Sequence, residues 1–130
     1  MGTCYLSGIG VERNHEEAVK WYHKAALLGY APSQYNLGVR YFEGKGVPKD
    51  YTKAVYWYRK AAEQGYAIAQ YNLGKRYELG QGVSQDCQTT LKWYRITVII
   101  EHTDQLSRDA RRYARRGIIR VERKIRNGKC

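Results

Sequence analysis

A self-repeat restricts what this chain can fold into. Residues 29–47 read GYAPSQYNLGVRYFEGKGV and residues 65–83 read GYAIAQYNLGKRYELGQGV, with thirteen of the nineteen positions identical at an offset of 36. Self-similarity at a period of this size belongs to stacked supersecondary units, none of which can bury its apolar face alone. The spacing inside each copy selects helices. Ala18, Trp21, Tyr22, Ala25 and Ala26 recur as Ala54, Trp57, Tyr58, Ala61 and Ala62, and steps of three and four put them on one helical face.

The punctuation is as regular as the faces. Gly8-x-Gly10-Val11, Gly44-x-Gly46-Val47 and Gly80-x-Gly82-Val83 recur at the repeat period, and each predicts the end of a helix, where glycine takes the left-handed backbone. With no strand before it and no third glycine at the right spacing, this motif is not a nucleotide loop. Three residues after each Val stand Asn14, Asp50 and Asp86, expected N-caps for the second helices, at about 16–28, 52–64 and 87–100. The first helices of the following units are expected over about 32–43 and 68–79. Gly38 and Gly74 lie inside them, where Gly costs ~1 kcal/mol relative to Ala, so a close backbone contact with the Trp-bearing helix is expected there. The expectation is an all-α solenoid of about seven helices. Units fall at about 1–36, 37–72 and 73–103, with the first truncated at its N-terminus.

The third unit drifts after Tyr94, and residues 104–130 change character. Leu106, Ala110, Tyr113, Ala114, Gly117, Ile118, Val121 and Ile125 again step by three and four. This reads as one amphipathic capping helix with Asp104 as N-cap. Its stripe is expected to pack on the 87–100 helix, against Ile96, Val98, Ile99 and Ile100. The segment holds ten basic and three acidic residues, +7 of the chain's +11.

Leu-Gly-x-x-Tyr-x-x-Gly-x-Gly-Val, then Asp, then Ala-x-x-Trp-Tyr-x-Lys-Ala-Ala and Gly, resembles the Sel1-like repeat, a relative of the tetratricopeptide repeat, over residues 1 to about 103. The resemblance implies a right-handed α-solenoid of stacked helical hairpins and a non-catalytic adaptor or scaffold. It also implies that the first helix of each unit lines a concave surface. The outward columns there are Pro32, Tyr35, Asn36, Val39, Phe42 and Glu43, then Ile68, Tyr71, Asn72, Lys75, Glu78 and Leu79, the candidate peptide- or protein-binding residues. Asn36 and Asn72 share a column, and an amide offers a peptide backbone both donor and acceptor; the alternative is that both only hold the stack.

Arg108, Arg111, Arg112, Arg115, Arg116, Arg120 and Arg123 form a candidate basic patch. It is either a solvated face, a contact for an acidic protein partner, or a nucleic-acid or anionic-membrane surface. No nucleophile–base pair, cofactor motif or metal-ligand spacing among His15, His23 and His102 is present, so neither enzyme activity nor a cofactor or metal is expected. Cys4, Cys87 and Cys130 fall in different columns and are expected to be reduced, which leans toward the cytoplasm. The longest uncharged apolar run, 96–100, is too short to span a bilayer.

Overall fold

A computed structural model describes residues 6–99 and 104–130, with side chains from residue 14 onward. Six helices follow one another: α1 (Leu6–Leu27), α2 (Ala31–Glu43), α3 (Tyr51–Glu63), α4 (Ala67–Leu79), α5 (Cys87–Ile99) and α6 (Gln105–Arg126). No strand occurs among the described residues. Each helix packs on its neighbours in sequence, and α4 also packs on α6. The core is therefore a string of small clusters along the stack, from Val19, Ala26, Leu37 and Trp57 at one end to Leu91, Tyr94, Ala114 and Val121 at the other.

The caps account for most boundaries. The Asp50 carboxylate accepts from Lys53 N at 3.1 Å, and Asp104 accepts from Ser107 N at 2.9 Å. Asp86 accepts from the amides of Gln88 and Thr89. Gly44 and Gly80 end α2 and α4 at φ 70° and 68°. The inner glycines of the two later Gly-x-Gly motifs do more. Gly46 lies against the backbone of His15, and Gly82 against that of Tyr51, so close that a Cβ would collide. The loop is thus held by the second helix of the preceding hairpin.

This explains where the expected helix count fails. The first Gly-x-Gly lies inside α1, which runs unbroken through it, and Asn14 is an interior residue rather than an N-cap. The two later loops each lie against the backbone of an earlier helix, whereas Gly8-x-Gly10 stands inside the first described helix. The two helices expected on either side of Gly8-x-Gly10 are one, so six helices stand among the described residues where about seven are expected.

The internal glycines behave as their column predicts. Gly74 lies against Tyr94 and Trp93 of α5, and Gly117 of α6 lies against the opposite edge of the same Tyr94 ring. Tyr94 is fully buried between two helices that only a missing side chain lets approach.

α6 caps the stack, but with a different partner surface from the one expected. Its buried stripe is Ser107, Ala110, Ala114, Gly117 and Val121, and it meets Cys87, Leu91, Tyr94 and the half-buried Val98. Those α5 residues are spaced by four, three and four, which is one face. Ile99 is one residue, about 100°, off that face and is exposed, and Ile96 is half-buried. Ile100 lies outside the described residues. Leu106 and Tyr113 of the predicted stripe are also largely exposed.

The cysteines correct the sequence reading as well. Cys87 and Cys130 form a disulfide, Cα to Cα 6.0 Å, closing a separation of 43 residues. After α6 the chain turns at Gly128, φ 67°, and brings its last residue back to the first turn of α5. Column arithmetic cannot anticipate this, because the tail belongs to no repeat.

Candidate functional site

The outward faces of α2 and α4 lie side by side, joined by tyrosines. The Tyr35 ring of α2 leans on Tyr58 and Tyr66, at 5.7 and 5.8 Å between centroids. Tyr71 of α4 repeats the arrangement, stacked on Tyr94 at 5.4 Å and tilted against Tyr113 of α6 at 5.6 Å. Burial pushes the hydroxyl pKa of both up. These rings are half-buried joints between successive units, with one edge left on the surface.

The asparagine column splits. Asn72 Nδ2 donates to Ile68 O at 2.9 Å and approaches the Tyr35 hydroxyl at 3.5 Å, so it ties α4 to α2. Asn36 is half-buried and makes no hydrogen bond among the described residues. Its amide is the one that remains to be satisfied by something else. Val39 is half-buried, Leu79 is exposed, and Glu43 is exposed beside Lys45 at 3.6 Å. Pro32 is half-buried, whereas Ile68 is buried beneath Ala110. Phe42 stacks on Tyr51 at 5.0 Å and carries the Arg76 guanidinium over its ring at 4.2 Å. Lys75 is half-buried; burial lowers its pKa, and the neighbouring Arg120 adds to that.

Glu78 lies apart from this surface. It is 2% exposed, beneath α6. Its Oε1 accepts from Tyr94 Oη at 2.7 Å and Arg120 Nη2 at 2.7 Å, and its Oε2 from Arg120 Nε at 2.6 Å and Lys124 Nζ at 3.1 Å. Burial alone pushes the carboxyl up, but the hydrogen bonds from Arg120, Tyr94 and Lys124 outweigh it and hold the group at about 2. The sequence gives no sign of this network. The column of Glu78 holds Phe42 one unit earlier, and its partners stand on a helix that does not keep the repeat period.

The basic patch is accordingly divided. Arg120 turns inward. Arg112 pairs with Asp109 at 3.1 Å. Among the described residues Arg108, Arg111, Arg115, Arg116 and Arg123 have no ion pair, and all but the half-buried Arg111 are exposed. They stand on a helix fixed at three points, by the Glu78 network, by the apolar stripe and by the disulfide. No group of three or more His, Cys, Asp and Glu side chains is placed to hold a metal among the described residues. No helix among them is long and apolar enough to cross a membrane.

At the other end of the stack the Trp column is open. Trp57 is 8% exposed, packed with Val19, Ala26 and Leu37, whereas Trp21 of α1 is 66% exposed. A recess of about 430 Å³ beside it is lined by Glu17, Val19, Lys20, Trp21, His23 and Lys24.

Residues 1–30, 31–66 and 67–96 each match the Sel1 repeat. A Sel1 repeat protein from Oxalobacter formigenes is 45% identical, with a TM-score of 0.63, over 72% of this chain and 38% of that one. A protective antigen of uropathogenic Escherichia coli strains, displaying an SLR fold, is 49% identical with a TM-score of 0.58, over 59% of this chain and 16% of that one. DAP3-binding cell death enhancer 1 of Rattus norvegicus is 51% identical over 37 residues, 28% of this chain and 7% of that protein. The chain thus spans well under half the length of each of these relatives.

Proposed function

The chain belongs to the Sel1 repeat family, and from that premise we propose that it is a non-catalytic interaction scaffold that holds a peptide or protein segment along the α2–α4 face. Family members generally mediate protein–protein interaction. The observation that carries the assignment to this face is the contrast between Asn36 and Asn72. One amide is consumed inside the stack and the other is left half-exposed, between the Tyr35 joint and the apolar Val39. An extended peptide can pair its backbone with that amide while Val39 and Leu79 take apolar side chains. Tyr35, Tyr71, Asn72, Lys75, Phe42 and Glu43 form the walls.

The test is to select binding peptides from a displayed library and map them by amide chemical shifts. Asn36→Ala and Val39→Arg should each weaken binding about tenfold or more, the loss of roughly one buried hydrogen bond to a ligand or one apolar contact. Arg115→Glu should leave it unchanged. Perturbations confined to α6 or to α1 would refute the assignment.

The five arginines without an ion pair among the described residues support a second reading, in which α6 docks a polyanion. The absence of exposed aromatic side chains between them, Tyr113 aside, favours an acidic protein surface over single-stranded RNA. The apolar stripe is spent on the stack, so α6 has no large apolar face left for a bilayer. Binding through α6 should fall steeply with salt, and binding through α2–α4 should not.

A further inference from the structure

We propose that Arg76 is the anchor of a carboxylate-binding site in the seam between α2 and α4. The proposal rests on the reading of that face as a peptide groove and names the chemistry the groove takes. Arg76 is 5% exposed, and its Nε and Nη1 are buried without a hydrogen-bond partner. A guanidinium does not shed its proton, so this is a buried positive charge with no negative one beside it among the described residues. The Phe42 ring at 4.2 Å offsets only part of that.

The repeat itself shows what is missing. One unit earlier, Arg40 donates from Nη1 to His15 Nδ1 at 2.6 Å. The residue 36 positions after His15 is Tyr51, whose ring is stacked on Phe42 and which takes no hydrogen bond from Arg76. The seam one unit later supplies the complement. The position of Phe42 becomes Glu78, and Glu78 meets Arg120 through both carboxylate oxygens. The α4–α6 seam therefore holds carboxylate and guanidinium together, while the α2–α4 seam holds the guanidinium alone. Glu43, the adjacent acid on α2, is exposed and turned to Lys45.

Asn72 and Leu79, four residues before and three after Arg76, are its neighbours on the α4 surface. The first is half-buried and the second exposed. A carboxylate entering between Phe42 and Leu79 meets a fork that binds such a group bidentately. It arrives on an acidic side chain or at a chain terminus.

The experiment uses the full chain labelled with 15N. The Arg76 Nε–H resonance is assigned by its loss in Arg76→Met. Sodium acetate is titrated against sodium chloride at equal ionic strength, with the melting temperature followed in parallel. The expected result is a saturating shift of that resonance and a rise in melting temperature with acetate alone. Arg76→Met should show neither and should melt no lower than the parent, because it removes an unpaired buried charge. Phe42→Glu, which supplies an internal carboxylate, should also abolish the acetate response. Two alanine-rich pentapeptides separate the sources, one with an internal glutamate and blocked ends, the other neutral with a free carboxyl end. Indifference of the Arg76 resonance to acetate, an acetate response that survives in Arg76→Met, or unfolding of that variant each overturns the site. Peptide binding that perturbs α2 and α4 without moving Arg76 overturns the site and leaves the groove; acetate binding at Arg76 with no peptide binding leaves the site and overturns the groove.

Discussion

Two seams join the first helices of successive units, and they are closed by opposite means. Between α2 and α4 the joint is made of rings: Tyr35 leans on Tyr66 at the start of α4 and Arg76 is laid over Phe42, with Tyr58 and Tyr51 of α3 backing the two α2 rings. Between α4 and α6 it is made of charge, with every lone pair of the buried Glu78 carboxylate engaged by Arg120, Lys124 and Tyr94. An internal seam repeats, and shape repeated at 36 residues is enough to close it. The terminal seam occurs once, and polar groups that must all be satisfied fix a single register there. A saturated seam is closed to ligands, whereas one with an unsatisfied guanidinium is not.

The contrast can be broken most severely at Glu78. Glu78→Gln should destabilise the fold by ~3 kcal/mol, the low end for opening a buried pair, because Arg120 and Lys124 are half-exposed and can turn to water. Denaturant melts followed at Trp93 would report it. Reducing the Cys87–Cys130 disulfide should cost about 2–4 kcal/mol, as expected for a loop of this size. Melting with and without dithiothreitol checks that, and Cys130→Ser should make the protein insensitive to the reductant. Gly74→Leu should cost ~1–3 kcal/mol by overpacking against Tyr94. An unchanged melting temperature would refute the close contact.

The subtlest test is acid. The Glu78 carboxyl sits at about 2 in the folded state against an ordinary 4.5. A depressed pKa means that its stabilisation is complete above pH 4.5 and drains away as pH falls from 4.5 toward 2. The parent should lose stability through that window, and Glu78→Gln should lose measurably less. Equal slopes would show that other carboxylates govern the acid limb.

What repeats in this molecule could be read from the sequence, and what occurs once could not. The helices α2 to α5, their aspartate and glycine caps and the Gly74 contact all follow from column spacing. Gly10 shares its column with Gly46 and Gly82 yet lies inside a helix, because a glycine permits the helix-ending turn without imposing it; at Gly46 and Gly82 the backbone of an earlier helix lies against the turn. Glu78 reads as an outward residue in the sequence because helix periodicity shows which side faces away from one neighbour and says nothing of a non-repeating helix laid over it. The disulfide depends on a turn in the tail, beyond any periodicity. At the candidate groove, the column shared by Asn36 and Asn72 was visible, but which amide is spent depends on the reach of Tyr35 across the seam. Arg40 and Arg76 look equivalent in sequence; each lies over an aromatic ring, but the half-buried Arg40 also reaches the His15 nitrogen and the buried Arg76 has no such partner among the described residues.

The disulfide also decides how this chain bears load. A pull applied between its two ends does not travel through α6. Cys130 is bonded to Cys87, so tension crosses the sulfur bridge and enters the stack at the first turn of α5. The 43 residues of separation, a reserve of ~150 Å if drawn straight, are removed from the extensible length. α6 keeps its register and its arginine face while the hairpins before it are stretched, and only a reductant returns that length to the chain.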